Sequence, residues 1–68
     1  MFRRILAGEH PVAIWREYRG FELNALAKRA KLSASYLSEI ESRNKPGSVS
    51  AMRSLAKALG VNIDDLVS

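Results

Sequence analysis

The side chains with chemistry to offer gather between Lys28 and Lys45. On a helix, Ala34, Ser35, Ser38 and Glu39 lie away from Leu37 and Ile40, with Tyr36 beside them. A methyl or a tyrosine ring can touch a thymine methyl, a serine hydroxyl can bond a base edge or a phosphate, and a glutamate can accept from cytosine N4. Lys28, Arg29, Lys31, Arg43 and Lys45 flank this set, and Ser33 and Ser38 add hydroxyls. Cations and hydroxyls in that arrangement suit phosphate oxygens.

Other chemistry has little to work with. The sequence has no cysteine, so disulfides and thiolate metal sites are excluded. The one histidine, His10, has no metal-ligand partners at useful spacing. Asp64 and Asp65 are adjacent in a helical turn and point apart, so they make no acid/base dyad. There is no nucleophile–histidine arrangement and no phosphate-cradling glycine loop. The expectation is a protein that is not an enzyme, with no cofactor, no metal and no small-molecule substrate.

Positioning the 28–45 segment requires a rigid frame, and the sequence supplies short helices for it. Pro11 suits a first helical position, where its missing donor costs nothing. Val12, Trp15 and Tyr18 follow at i, i+3, i+6, with Ile14 offset, and Gly20 stops the helix. Leu23, Leu26, Ala27 and Ala30 repeat at helical spacing, and the alanines allow close approach of another backbone. Lys31-Leu32 forms a corner, and Ser33 reads as the N-cap of the next helix. Leu37 and Ile40 are its inward stripe.

Arg43-Asn-Lys-Pro-Gly47 is a polar loop with two breakers. Ser48 caps a helix whose Val49, Met52, Leu55, Ala56 and Leu59 are expected to face the core, and Gly60 ends it. Asn62 opens a last short element anchored by Ile63 and Leu66, with Asp64 and Asp65 at its positive end. The reading is all-α: five helices, about 11–19, 22–30, 33–42, 48–59 and 63–67, in one domain spanning 1–68. Residues 1–10 read as either a basic arm carrying Arg3 and Arg4 or a short helix begun by Phe2, Ile5 and Leu6.

Bulk properties agree with a polyanionic partner. The chain has 68 residues, 11 basic against 7 acidic, and a formal charge of +4. So short a chain has a modest core and depends on packed helices, helped by self-association. No apolar run approaches the roughly 20 residues a membrane span needs, and no signal-peptide pattern opens the sequence. A cytoplasmic address is expected, with no membrane partner.

Several segments resemble one family in order and at the right separations. Trp15-Arg16-Glu17-Tyr18-Arg19-Gly20-Phe21 is similar to the end of its first helix and the glycine that follows. Leu26-Ala27 and Leu32-Ser33 occupy its places in the second helix and the turn. Tyr36-Leu37-Ser38-Glu39-Ile40-Glu41 resembles the close of its recognition helix, and Leu55 to Leu66 its tail. The chain, from about Val12 to Val67, resembles the Cro/C1-type helix-turn-helix domains, the lambda-repressor-like group.

The resemblance implies a five-helix lambda-repressor-like fold and double-stranded DNA as partner, with helix 33–42 in the major groove. It implies an Arg16–Glu41 ion pair that is structural, and base-reading roles for Ala34, Ser35 and Glu39, with Tyr36 beside them. The first two are too short for a bidentate contact with a purine, so part of the specificity falls to DNA shape, Arg43 or the basic arm. An exposed Glu39 pairing with Arg43, four residues on, is the structural alternative for that residue.

Three positions depart from the pattern. Leu23 stands where a phosphate-binding glutamine is usual, Lys31 where the corner is usually glycine, and Gly47 where proline usually precedes Ser48. The last change implies a more mobile loop.

One such domain covers one half-site, so a homodimer is expected, with Val61, Leu66 and Val67 as interface candidates. The role implied is transcriptional repression. A second account is an antitoxin that binds a protein toxin through Phe2–Ala7 and also its own operator. A third is a structural or protein-interaction bundle without DNA affinity.

Overall fold

A computed structural model describes residues 9–66. Four α-helices follow one another: α1 Pro11–Tyr18, α2 Leu23–Arg29, α3 Ala34–Glu41 and α4 Val49–Leu59. In place of a fifth helix over 63–67, the described residues hold a 3-10 turn, Ile63–Asp65. Val67 and residues 1–8, including the Phe2–Ala7 segment, lie outside the described residues. Among the described residues there is no strand and no helix long and apolar enough to cross a membrane.

Each helix is bounded by its own chemistry. Ser33 Oγ accepts from the Tyr36 amide at 3.0 Å and Ser48 Oγ from the Ala51 amide at 3.0 Å, satisfying donors that have no partner inside the helix. His10 caps α1 through Nδ1, which accepts from the Val12 amide at 3.0 Å. Gly60, at φ 72°, closes α4 in the left-handed region. Asn62 and Asp65 form a reciprocal capping box around the final turn.

The core joins these elements along one seam. Val12, Leu26, Leu37, Ile40, Leu55 and Leu66 are fully shielded from solvent and belong to one cluster. Helix α2 packs on both α3 and α4, while α1 packs on the same two, so α3 has neighbours along its inner side. Ala27 and Ala30 in this seam allow the close approach that larger side chains would prevent.

Three expectations about the core need correction. In α1 the interior receives Val12 and Ile14, Trp15 is half-buried, and Tyr18 stays 64% exposed. Steps of three drift round a helix of 3.6 residues per turn, so by Tyr18 the stripe has left the core. Val49 is also 64% exposed, because it opens α4 before the first buried residues, Ala51 and Met52. Leu66 is fully buried in the chain's own core, and this removes it from a dimer surface.

The loop before α4 is tied to the core. Gly47 has φ +80°, and a Cβ there would stand 3.2 Å from both Ile40 Cδ1 and Met52 Sδ. The glycine thus allows a conformation and a close approach together. Gly20 has a similar φ of +77° but open space around it. We expect Gly47→Ala to destabilise the fold by about 2 kcal/mol and Gly20→Ala by about 1 kcal/mol. Urea denaturation of the two variants measures the difference; equal losses would mean that the contacts with Ile40 and Met52 cost nothing.

Candidate nucleic-acid interface

The outward face of α3 follows from its inward one. Leu37 and Ile40 are fully buried, so the positions a third to half a turn round from them face out. Ser35 and Ser38 are exposed there, and Glu39 is partly so. Ser42, just past the helix, is exposed as well and extends the same small polar face. Ala34 sits differently: it is half-buried and packs on the core cluster, at the edge of this face. The open surface is therefore centred on Ser35 and Ser38.

Tyr36 has structural work. Its ring packs on the core, and its hydroxyl accepts from the Ser48 amide at 3.0 Å, tying the start of α4 to α3. The hydroxyl hydrogen remains available to a further acceptor. This bond spans a polar loop, and no local pattern signals it.

Glu39 pairs with Lys45, Oε1 to Nζ at 3.4 Å, and not with Arg43. The helix ends at Glu41, so Arg43 is not on a continuing helical face. Arg43 takes φ 66°, the chain reverses, and the amides of Asn44 and Lys45 donate to the Glu39 carbonyl at 2.9 and 3.2 Å. Ser42 Oγ donates to the same carbonyl at 3.2 Å. Arg43 and Lys45 both remain exposed beside α3.

The other cations lie elsewhere. Lys28 is exposed on α2, and Lys31 holds the corner at φ 60°. Lys31 lines a shallow recess with Arg29 and Lys57, separate from the Arg43–Lys45 loop. Ser33 is exposed, its oxygen engaged in the cap and its hydrogen free to donate. Leu23 packs against the core, so at this position the first turn of α2 offers an apolar contact in place of a polar side chain.

An ion pair fixes the far end of α3. Arg16 Nε reaches Glu41 Oε2 at 2.8 Å and Nη2 reaches Oε1 at 3.1 Å, while Nη1 donates to the Phe21 carbonyl at 3.0 Å. Both side chains are largely removed from water, at 15% and 11% exposure. The planar fork of arginine satisfies a carboxylate and a turn carbonyl together, which lysine cannot do. A second arginine, missed in the sequence, closes α4: Arg19 Nε donates to the Leu59 carbonyl at 3.0 Å while its guanidinium lies over Trp15 and Tyr18. Val61 is half-buried against the core.

A family model described as a helix-turn-helix domain matches residues 10–68. The chain belongs to the Cro/C1-type helix-turn-helix DNA-binding family. Among solved structures, this helix-turn-helix domain is similar to the N-terminal DNA binding domain of SinR from Bacillus subtilis, with 28% sequence identity, a TM-score of 0.76 and 81% of each chain covered. No curated protein sequence matches it. The family is non-catalytic, and among the described residues of this helix-turn-helix domain no group of His, Cys, Asp or Glu is gathered to hold a metal ion.

Two outcomes follow from these geometries. Removing one partner of the Arg16–Glu41 pair leaves a charge stranded in a poorly hydrated place, so Glu41→Ala should cost about 3 kcal/mol, whereas the apolar double variant R16M/E41L should recover most of that loss. Thermal unfolding reads both, at about 4–8 °C per kcal/mol for a domain of this size; equal losses in single and double variants would place the stabilisation in packing alone.

The second concerns pH. Burial first, and then the Arg43 charge, lower the pKa of His10 below 6.5, while Glu41 opposes the shift. The neutral ring is the form that caps α1. A lowered folded-state pKa means that the unfolded chain binds the proton more readily. The stability contribution is thus complete above the unfolded value of about 6.5 and is lost as pH falls through the lower folded value. In denaturation series against pH, His10→Ser should keep a capping oxygen and lose this part of the slope. An unchanged slope would contradict the assignment.

Proposed function

We propose that the protein is a sequence-specific regulator of transcription that binds double-stranded DNA with α3 in the major groove and represses by occupying a promoter. The observation that carries this reading is the division of α3 between a fully buried Leu37–Ile40 stripe and an open Ser35–Ser38 face. Small side chains let the helix backbone approach base edges closely. The cations Arg43 and Lys45 stand beside that face, where they can neutralise phosphates. The similarity to the DNA binding domain of SinR supports the same partner.

Ser35 and Glu39 are the base-reading residues in this account. Ala34 and the Tyr36 ring edge supply apolar contact. Lys28, Lys31, Ser33 and Ser38 add phosphate contacts to those of Arg43 and Lys45. With so few long side chains on the reading face, DNA shape carries much of the discrimination.

Glu39 shapes the readout by exclusion as well as by contact. Its carboxylate repels phosphates, accepts from cytosine N4, and holds Lys45 at 3.4 Å.

A homodimer completes the mechanism. The described residues extend 29 Å in their longest dimension. Successive major-groove faces on one side of a duplex are about 34 Å apart, so one copy serves one half-site. Two copies would recognise a pseudo-palindrome. Val61 is an interface candidate for this pairing, and Val67 belongs to the same tail.

Selection of bound duplexes from a random pool with the purified protein tests the reading. A two-fold-symmetric consensus is expected, with half-sites about one helical turn apart. On that duplex, Arg43→Ala should lower the slope of log affinity against log salt by about 1. Absence of enrichment, together with salt-independent binding, would overturn the proposal.

A further inference from the structure

The recess between the end of α2 and the middle of α4 concentrates positive charge without compensation. It is lined by Arg29, Ala30, Lys31, Ser54, Lys57 and Ala58, has a volume of about 390 Å³ and lies open to solvent. Among the described residues, no carboxylate forms an ion pair with Arg29, Lys31 or Lys57. No residue of α3 or of the Arg43–Gly47 loop contributes to it. It is a surface distinct from the proposed reading face.

Two costs converge there. Lys31 takes φ 60°, a conformation that a glycine would adopt without penalty. Like charges drawn to one recess also repel. Glycine at residue 31 would remove the backbone cost and one of the three charges, so neither contribution of Lys31 is needed for the fold. Strain that the structure does not require points to a function served by the side chain.

The recess is also partly pre-organised. The Arg29 guanidinium lies 5.5 Å from the centroid of the Phe21 ring, which holds it in place. Ser54 and Lys57 are three residues apart on one face of α4. Ala30 and Ala58 give the recess short apolar walls. A carboxylate on a methylene stem fits this combination: the stem meets the alanines, and the oxygens meet Ser54 and the cations.

We propose that this recess docks an acidic segment of a partner protein. Its concave form and alanine walls suit a protruding glutamate better than the cylindrical surface of a duplex. The inference does not rest on DNA binding, because it uses none of the α3 residues and shares only Lys31 with the proposed phosphate contacts.

The test is an amide-resolved NMR titration of the full chain with a blocked poly-glutamate peptide, and separately with a mixed-sequence duplex. The peptide should shift the amides of residues 29–31 and 54–58. Lys31→Gly and Lys57→Gln together should weaken peptide binding about tenfold, each lost cation contributing a few-fold. Lys31→Gly alone should be no less stable than the parent chain, which separates lost binding from lost folding.

Peptide shifts spread evenly over all lysines, or centred on Arg43 and Lys45, would overturn the proposal. So would a duplex that perturbs residues 54–58, which take no part in the proposed phosphate contacts, as strongly as α3. A chain that binds the peptide as described but no duplex would support the recess and contradict only the proposed DNA-binding function.

Discussion

One guanidinium joins three parts of this molecule. Arg16 projects from α1, donates to both carboxylate oxygens of Glu41 at the end of α3, and donates to the Phe21 carbonyl in the turn between α1 and α2. The direction of α3 depends on this junction. Leu37 and Ile40 attach the helix to the core, but two neighbouring apolar side chains leave a rod free to pivot. Glu41 fixes one end, and Tyr36, through its bond to the Ser48 amide, fixes the approach to α4. The reading role proposed for α3 needs that rigidity, because discrimination between bases depends on placing a few short side chains within hydrogen-bond reach.

Much of this frame was legible in the sequence. The serines at residues 33 and 48, Pro11, and the glycines at residues 20 and 60 mark helix ends through local chemistry, and the structure places the helix limits within a residue or so of them. The inward pair Leu37 and Ile40 was legible for the same reason: spacing on one helix is a local property. What depends on distant contacts was not. The phase of α1 could not be fixed from eight residues, and only packing decided that Ile14 goes in and Tyr18 stays out. The Tyr36–Ser48 and Arg19–Leu59 bonds connect residues 12 and 40 apart in the sequence. The partner of Glu39 depended on a left-handed turn at Arg43, a residue type with no special preference for one.

The positive-φ residues mark where the chain departs from its cheapest backbone. Gly47 uses its freedom to bring the loop against Ile40 and Met52. Arg43 and Lys31 adopt similar angles with full side chains, at a cost of about 1 kcal/mol each. Both are exposed cations at corners flanking α3. Charge is thus presented at the corners, while the helix between them stays small and nearly neutral on its outward face. Such a layout separates attraction to a polyanion from close inspection of its surface.

The central claim is that the Ser35–Ser38 face of α3 is the surface that meets a duplex. Cross-saturation from an unlabelled duplex to the amides of the deuterated protein measures proximity residue by residue and needs no variant. The account predicts the strongest transfer at Ser35 and Ser38, with weaker transfer at Arg43 and Lys45. Transfer concentrated on α1 or α4, with the amides of Ser35 and Ser38 unaffected, would contradict it.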